Sequence, residues 1–156
     1  MTPKSTLPAD ISEVEVRFLE QSDAALFDRV ADEVFGNPVD RHLAAEFLGD
    51  SRHHMSAALD GGLMVGFASA VHYLHPDKPV ELRINEVGVA PSHQRRGIGR
   101  RLVERLLERG RELGCHEAWV LTEQANAAAR GLYRAAGGTE SDSVMVTFKL
   151  SQSVTE

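Results

Sequence analysis

Cysteine is nearly absent: Cys115 is the only one, so no disulfide can form within the chain. That suits a reducing compartment, and a cytoplasmic location is the expectation. No run approaches the ~18 consecutive apolar residues that mark a bilayer span. Met1–Asp10 is polar, holds Pro3 and Pro8, and lacks the apolar stretch of a signal peptide. Neither a membrane nor export by that route is expected. No internal repeat, low-complexity segment or long linker divides the chain. Residues 1–10 and 151–156 read as loose ends, which leaves one domain over 11–150, a length suited to a single core. The net charge is -6. Nucleic-acid affinity depends on Lys and Arg neutralising phosphates, so no nucleic-acid partner is expected, whereas a cationic ligand suits an acidic protein. The seven histidines show no Cys/His ligand spacing, and no metal is expected. Ser92-His93 has no acid partner in the sequence around it, which counts against a hydrolase triad. Cys115 has no activating neighbour and is not assigned a catalytic role.

What is present alternates between the two periods of regular structure. Val14–Phe18 reads as a strand. Ser22 is placed as the N-cap of a helix to Phe35, stopped by Gly36-Asn37-Pro38. A short helix over Arg41–Leu48 follows. Met55–Leu59 and Leu63–Tyr73 read as strands joined by the turn Asp60-Gly61-Gly62. Glu81–Val89 is a further strand, cut off by Pro91. From Ile98 to Leu113 the apolar residues Ile98, Leu102, Val103, Leu106, Leu107 and Leu113 form one helical stripe. Ala118–Thr122 is a short strand, Ala125–Ala136 a helix stopped by Gly137-Gly138, and Val144–Leu150 a closing strand. The order predicts an α/β or α+β fold with a mixed sheet and helices on its faces.

The most informative stretch is Val87-Gly88-Val89-Ala90-Pro91-Ser92-His93-Gln94-Arg95-Arg96-Gly97-Ile98-Gly99-Arg100. A strand ends, a polar turn follows, and a helix opens on two glycines. N–H groups at a helix start have no intrahelical partner and sit at the positive end of the dipole, where a diphosphate binds. Gly97 and Gly99 lack side chains that would hold a phosphate off the backbone. Arg95, Arg96, Arg100 and Arg101 concentrate positive charge on an otherwise acidic chain. A dinucleotide fingerprint would need glycine where Leu102 stands, and a Walker A loop would need Gly-Lys-Ser/Thr, which is absent.

Gln94-Arg95-Arg96-Gly97-Ile98-Gly99 resembles the acetyl-CoA signature of the GNAT superfamily of N-acetyltransferases. The resemblance continues in Asn126-Ala127-Ala128-Ala129-Arg130-Gly131-Leu132-Tyr133, and Gly138 departs from the family's usual aromatic. It spans about residues 14–150. It implies a mostly antiparallel mixed sheet with helices on both faces and central strands that splay around a pantetheine arm. Acetyl-CoA is the implied co-substrate, transferring its acetyl group to an amine by direct attack in a ternary complex. The backbone of Val87 and Val89 would bond the arm, with Val89 N–H meeting the thioester carbonyl. Gln94, Arg95, Arg96, Gly97, Ile98, Gly99 and Arg100 would hold the pyrophosphate, and Asn126 would contact the pantetheine side. Tyr133 matches the family tyrosine that protonates the departing thiolate; as a side chain of an apolar helix face it also reads as core.

Glu86 stands where several members of that family carry an acidic base. A carboxylate of ordinary acidity is a feeble base towards an ammonium ion, so either burial or a water relay is called for, or the group only attracts the cation. Pairing with Arg83 or an arginine of the turn is the structural alternative. Strict alternation would place Glu86 on the face of Leu82 and Ile84. A bulge near Glu86 or Gly88 would remove that conflict and help open the sheet. The acceptor is expected to be a small cationic amine. Val71–Glu86 resembles, loosely, the GNAT-type aminoglycoside 3-N-acetyltransferases, although their acidic segment before the tyrosine helix is replaced by Glu123-Gln124-Ala125-Asn126. A protein N-terminal or lysine acetyltransferase, and a non-catalytic acyl-CoA sensor, are the alternatives. Many relatives in that family are homodimers, but no sequence feature shows an interface.

Overall fold

The computed structural model describes residues 13–152, so the loose end read at 1–10, and residues 153–156 of the one read at 151–156, lie outside the described residues. The elements are β1 (Glu15–Phe18), a 3-10 helix (Gln21–Asp28), α1 (Arg41–Gly49), β2 (His53–Asp60), β3 (Leu63–Tyr73), β4 (Glu81–Val89), a 3-10 turn (Pro91–His93), α2 (Ile98–Glu112), β5 (Glu117–Val120) and α3 (Ala127–Ala135). The strands form one sheet in the order β1-β2-β3-β4-β5. The first four make an antiparallel meander, and β5 joins β4 in parallel. A parallel partner cannot follow through a tight turn, and α2 supplies the crossover. No described helix is long and apolar enough to cross a membrane.

The two faces of the sheet are covered by different parts of the chain. On one lies α2, whose apolar stripe buries Ile98, Leu102, Val103 and Leu106. The buried Ser56 hydroxyl donates to the Leu102 carbonyl at 2.9 Å, tying β2 to the helix. A Cβ on Gly110 would sit 3.2 Å from Leu82, and one on Gly66 3.2 Å from Leu102. The other face is covered by the segment from the first 3-10 helix to α1. There a Cβ on Gly88 would meet the Val34 carbonyl at 2.2 Å, so only glycine admits this backbone to β4. Asp40 caps α1, its carboxylate accepting from His42 N at 2.8 Å and Leu43 N at 3.0 Å.

Two expected elements differ. The helix placed from Ser22 to Phe35 is only a 3-10 helix ending at Asp28, capped by Glu20 and Asp23 rather than by Ser22. Beyond it Val30 makes a lone bridge to Met64, and Glu33 adopts a left-handed φ of 63°. The pull of β3's edge overrides the local helical pattern. The closing strand placed at Val144–Leu150 does not form: residues 139–150 carry no regular structure and all are exposed. Val144, Met145, Val146, Phe148 and Leu150 are 89, 70, 69, 78 and 96% exposed. Burying such a side chain is worth about 1.5–3 kcal/mol each, none of which is realised here.

Candidate functional site

β4 is longer than its pairing with β5. The ladder between them runs from Glu81↔Glu117 to Ile84↔Val120 and stops, while β4 continues to Val89 and β5 ends. From Asn85 onward the β5 side of β4 is therefore an open edge facing a gap. Ala90 N–H donates to the Val65 carbonyl at 2.8 Å, towards β3. Backbone groups alternate sides along a strand, so Gly88 and Glu86 also point to β3, and Val87 and Val89 point into the gap. The Gln94 side chain donates to the Val89 carbonyl at 3.0 Å. The side chains of Val87 and Val89 meanwhile turn to the α2 face: a Cβ on Gly99 would lie 3.8 Å from Val89 Cγ2.

The open edge leads into the glycine turn. Arg95 and Gly97 both hold left-handed φ, 62° and 76°, with Gly97 as the N-cap of α2. Such alternation turns successive N–H groups to one side, making an anion cradle. Arg101 N–H is the first to bond back, to the Gly97 carbonyl at 3.1 Å. Among the described residues no acceptor meets the N–H groups of Arg95, Arg96, Gly97, Ile98, Gly99 and Arg100. A left-handed arginine carries strain of order 1–3 kcal/mol, and such strain collects at functional sites. The two glycines serve different ends. Gly97 supplies its φ, with nothing near its absent Cβ, whereas a Cβ on Gly99 would meet Leu132 Cδ1 at 2.5 Å. Gly99 thus lets α3 rest on the start of α2, which places the neighbouring Tyr133 beside the cradle's helix.

Tyr133 is half-buried, and burial pushes its phenol above its ordinary pKa. Its hydroxyl has no hydrogen-bond partner among the described residues. Asn126 opens α3: its carbonyl oxygen accepts from Ala129 N at 3.0 Å, which leaves its amide NH2 uncommitted.

The expected bulge is present. Ser69 pairs with Glu86 and Ala70 with Ile84, so Asn85 is the extra residue. Parity is reset there: Leu82 and Ile84 stay buried, and Glu86 moves to the opposite face in line with Ser69 and Met55. On that face it borders a cavity of about 270 Å³ lined by Phe27, Phe35, Val39, Asp40, Phe47 and Met55 among others. Glu86 is exposed and makes no ion pair among the described residues. It pairs with neither Arg83 nor an arginine of the turn; Arg83 stands over the Trp119 ring at 5.1 Å instead.

One expectation about the turn is corrected. His93 does have an acid partner: its Nε2 lies 2.8 Å from Asp60 Oδ2, and its Nδ1 is 2.7 Å from Ser92 Oγ. Asp60 ends β2, 33 positions earlier, so no local pattern could reveal it. The chain of groups ties the β2–β3 turn to the start of the glycine turn. Among the described residues no cluster of three or more His, Cys, Asp or Glu could hold a metal ion.

Residues 18–137 match the Acetyltransferase (GNAT) family. Among sequence relatives, an N-alpha-acetyltransferase RimI of Mycobacterium tuberculosis is 39% identical over 90 residues, 58% of this chain and 54% of that protein. A streptothricin acetyltransferase of Streptomyces lavendulae is 38% identical over 88 residues, covering 56% of this chain and 44% of the relative. The chain spans about half or less of the length of these relatives. Among solved structures, an aminoglycoside acetyltransferase from an uncultured soil metagenomic sample superposes with a TM-score of 0.76 at 20% identity, covering 90% of this chain and 99% of that one. That likeness is one of fold. The family match over residues 18–137 establishes that this chain belongs to the GNAT acetyltransferase family.

Proposed function

We propose that this protein is an acetyl-CoA-dependent N-acetyltransferase acting on a primary amine. The observation that carries the reading is the continuity between the open β4 edge at Val87 and Val89 and the six unbonded N–H groups from Arg95 to Arg100. The gap suits an amide-bearing arm, and the cradle suits a diphosphate. Gln94 braces the strand end, and the free amide of Asn126 faces the arm's far side. Bound acetyl-CoA supplies an activated thioester and a thiolate leaving group. Val89 N–H donates to the carbonyl oxygen as negative charge develops there. Tyr133, kept protonated by burial, gives its proton to the sulfur; a phenol against a thiol of pKa ~8.5 faces a gap of only a few kcal/mol. Glu86 stands in solvent, so its part is to draw the ammonium into the cavity and pass its proton to water rather than to act as a buried base.

Two acceptor classes fit an amine beside one carboxylate. A small cationic molecule, an aminoglycoside among them, follows from the acidic balance of the chain and the carboxylates of Glu86 and Asp40. The α-amine of a peptide is the second reading, favoured by the aromatic and aliphatic lining of Phe27, Phe35, Val39 and Phe47. Thiol release from acetyl-CoA, measured against aminoglycosides, polyamines and short peptides, tests both. Release with one class establishes the transferase and its acceptor together. Binding of acetyl-CoA without release for any amine supports the sensor reading, and no binding refutes the proposal.

A further inference from the structure

The bulge at Asn85 brings two opposite charges onto one face of the sheet. Under strict alternation residues 83 and 86 would point to opposite faces. Here Arg83 pairs with Val71 and Glu86 with Ser69, and Val71 and Ser69 are two positions apart on β3. Arg83 and Glu86 therefore stand on the same face, about 7 Å apart along the strand. Their rows are continuous with the cavity. His53, Val71, Arg83 and Trp119 pair in turn across β2, β3, β4 and β5. The His53 ring lies 5.2 Å from that of Phe47, which lines the cavity with Met55 and Glu86. Arg83 is exposed, and Val71, Tyr73 and Trp119 are half-buried, so the shelf beyond Glu86 opens to solvent.

Arg83 is a cation held in place without an anion. Its guanidinium lies 5.1 Å from the centre of the Trp119 ring, a cation–π contact. The indole is itself fixed: its N–H donates to the Tyr73 hydroxyl oxygen at 2.7 Å, and Tyr73 donates to Glu81 at 3.3 Å. Glu81, two positions from Arg83 on β4, is occupied by His75 at 2.8 Å and Lys78 at 3.7 Å. Among the described residues Arg83 makes neither an ion pair nor a hydrogen bond. A guanidinium that is aimed but unpaired offers a planar fork that fits a carboxylate bidentately.

We infer that Arg83 is a specificity-determining residue that takes a carboxylate of the acceptor while Glu86 takes its ammonium ion, so that the acceptor is a short acidic peptide rather than a polycation. The inference rests on the acetyl-transfer reading and selects between its two acceptor classes. The spacing sets the length. An extended chain advances ~3.5 Å per residue, so the carboxylate of a second residue, side-chain or terminal, lies about 7 Å from the α-amine. A free amino acid reaches about half as far. An aminoglycoside with one amine at Glu86 would bring further ammonium groups against Arg83, like charge to like.

Calorimetric binding to the CoA-loaded protein tests this without turnover. The ligands are Ala-Glu amide, Ala-Ala free acid, Ala-Gln amide, Ala-Lys amide and an aminoglycoside. At least one of the two acids is expected to bind about fivefold more tightly than the glutamine peptide, and which one does so distinguishes a side-chain from a terminal carboxylate. In thiol release from acetyl-CoA the same difference should fall in KM rather than kcat. Arg83→Gln should bring the ratio to one. Arg83→Glu should invert it in favour of the lysine peptide, a reversal that a misfolded variant cannot produce. Equal binding of acidic and neutral peptides, a preference that survives Arg83→Gln, or tighter binding of the aminoglycoside overturns the inference. Charge-dependent binding with no thiol release for any peptide overturns the transferase reading instead and leaves the role of Arg83 standing.

Discussion

The chain up to Gly110 and the chain after it are built differently. Among the described residues every buried hydrophobic side chain lies between Val14 and Leu106, and none beyond Gly110 is buried. The first part is a four-stranded meander clamped by α2 and by the segment around Val34. The second, β5 and α3, rests on it through Leu132, Tyr133 and Ala136. The candidate site lies on the seam. The well-packed part supplies the backbone that must hold still: the β4 edge and the cradle. The thin part supplies Tyr133, the proposed proton donor. Deep and shallow packing are thus allotted to different stretches of the chain.

The largest expected effect separates chemistry from structure at that seam. Tyr133→Phe should lower kcat by roughly 10²–10⁴-fold, the usual yield of a general acid, with little change in melting temperature. The lost hydroxyl has no hydrogen bond to lose. A drop in stability that tracks the loss of rate would mean that Tyr133 is a packing residue. Next in size is a paired truncation. Leu106→Ala, at a fully buried position, should cost about 2–5 kcal/mol in denaturant unfolding. Leu132→Ala, half-buried on α3, should cost about 1 kcal/mol. Equal costs would show that the second region is packed as deeply as the first.

Legibility in the sequence follows the range of the interactions. The glycine turn and the stripe of α2 are set by neighbours within a few positions, and each stands where the pattern placed it; the last helix, read from Ala125, opens at Ala127 with Asn126 as its cap. The bulge at Asn85 was readable because a carboxylate in line with Leu82 and Ile84 broke parity. Elements that depend on distant partners were not readable. The first helix yields to a bridge from Val30 to Met64. The arm over Val144–Leu150 has a strand's pattern but no strand beside it. The carboxylate that meets His93 comes from the end of β2. Arg95 in a left-handed conformation left no composition signal, since such a φ usually falls to glycine or asparagine.

Smaller effects sharpen the contrast between the regions. His54 is buried within the first, its Nε2 2.7 Å from His72 Nδ1. Burial chiefly, with the charges of His72 and Arg109, lowers its pKa from 6.5 to about 4. The folded state therefore keeps it neutral while the unfolded chain takes up a proton below pH 6.5. Stability should be full above pH 6.5 and fall by roughly 3 kcal/mol as the pH drops to 4. Denaturant midpoints against pH check this, and His54→Gln should flatten the profile over that window. In the second region Asn126→Ala removes the cap of α3. A loss of about 1 kcal/mol should speed amide exchange in α3 roughly fivefold and leave α2 unchanged.

The extra residue at Asn85 has a consequence for how such a site diversifies. Upstream of it, alternate side chains of β4 belong to the helix-covered interior; downstream, the parity inverts and Glu86 faces the cavity. The groups offered to the gap at Val87 and Val89 are main chain and do not depend on which side chain a codon specifies. On the proposed reading a substitution at position 86 would retune the acceptor without rewriting the donor's hydrogen bonds, while removing one residue here would exchange the two roles at once. The strand is expected to tolerate replacement at position 86 but not deletion, an asymmetry that a deletion scan across residues 84–88 would show as a sharp loss at the bulge.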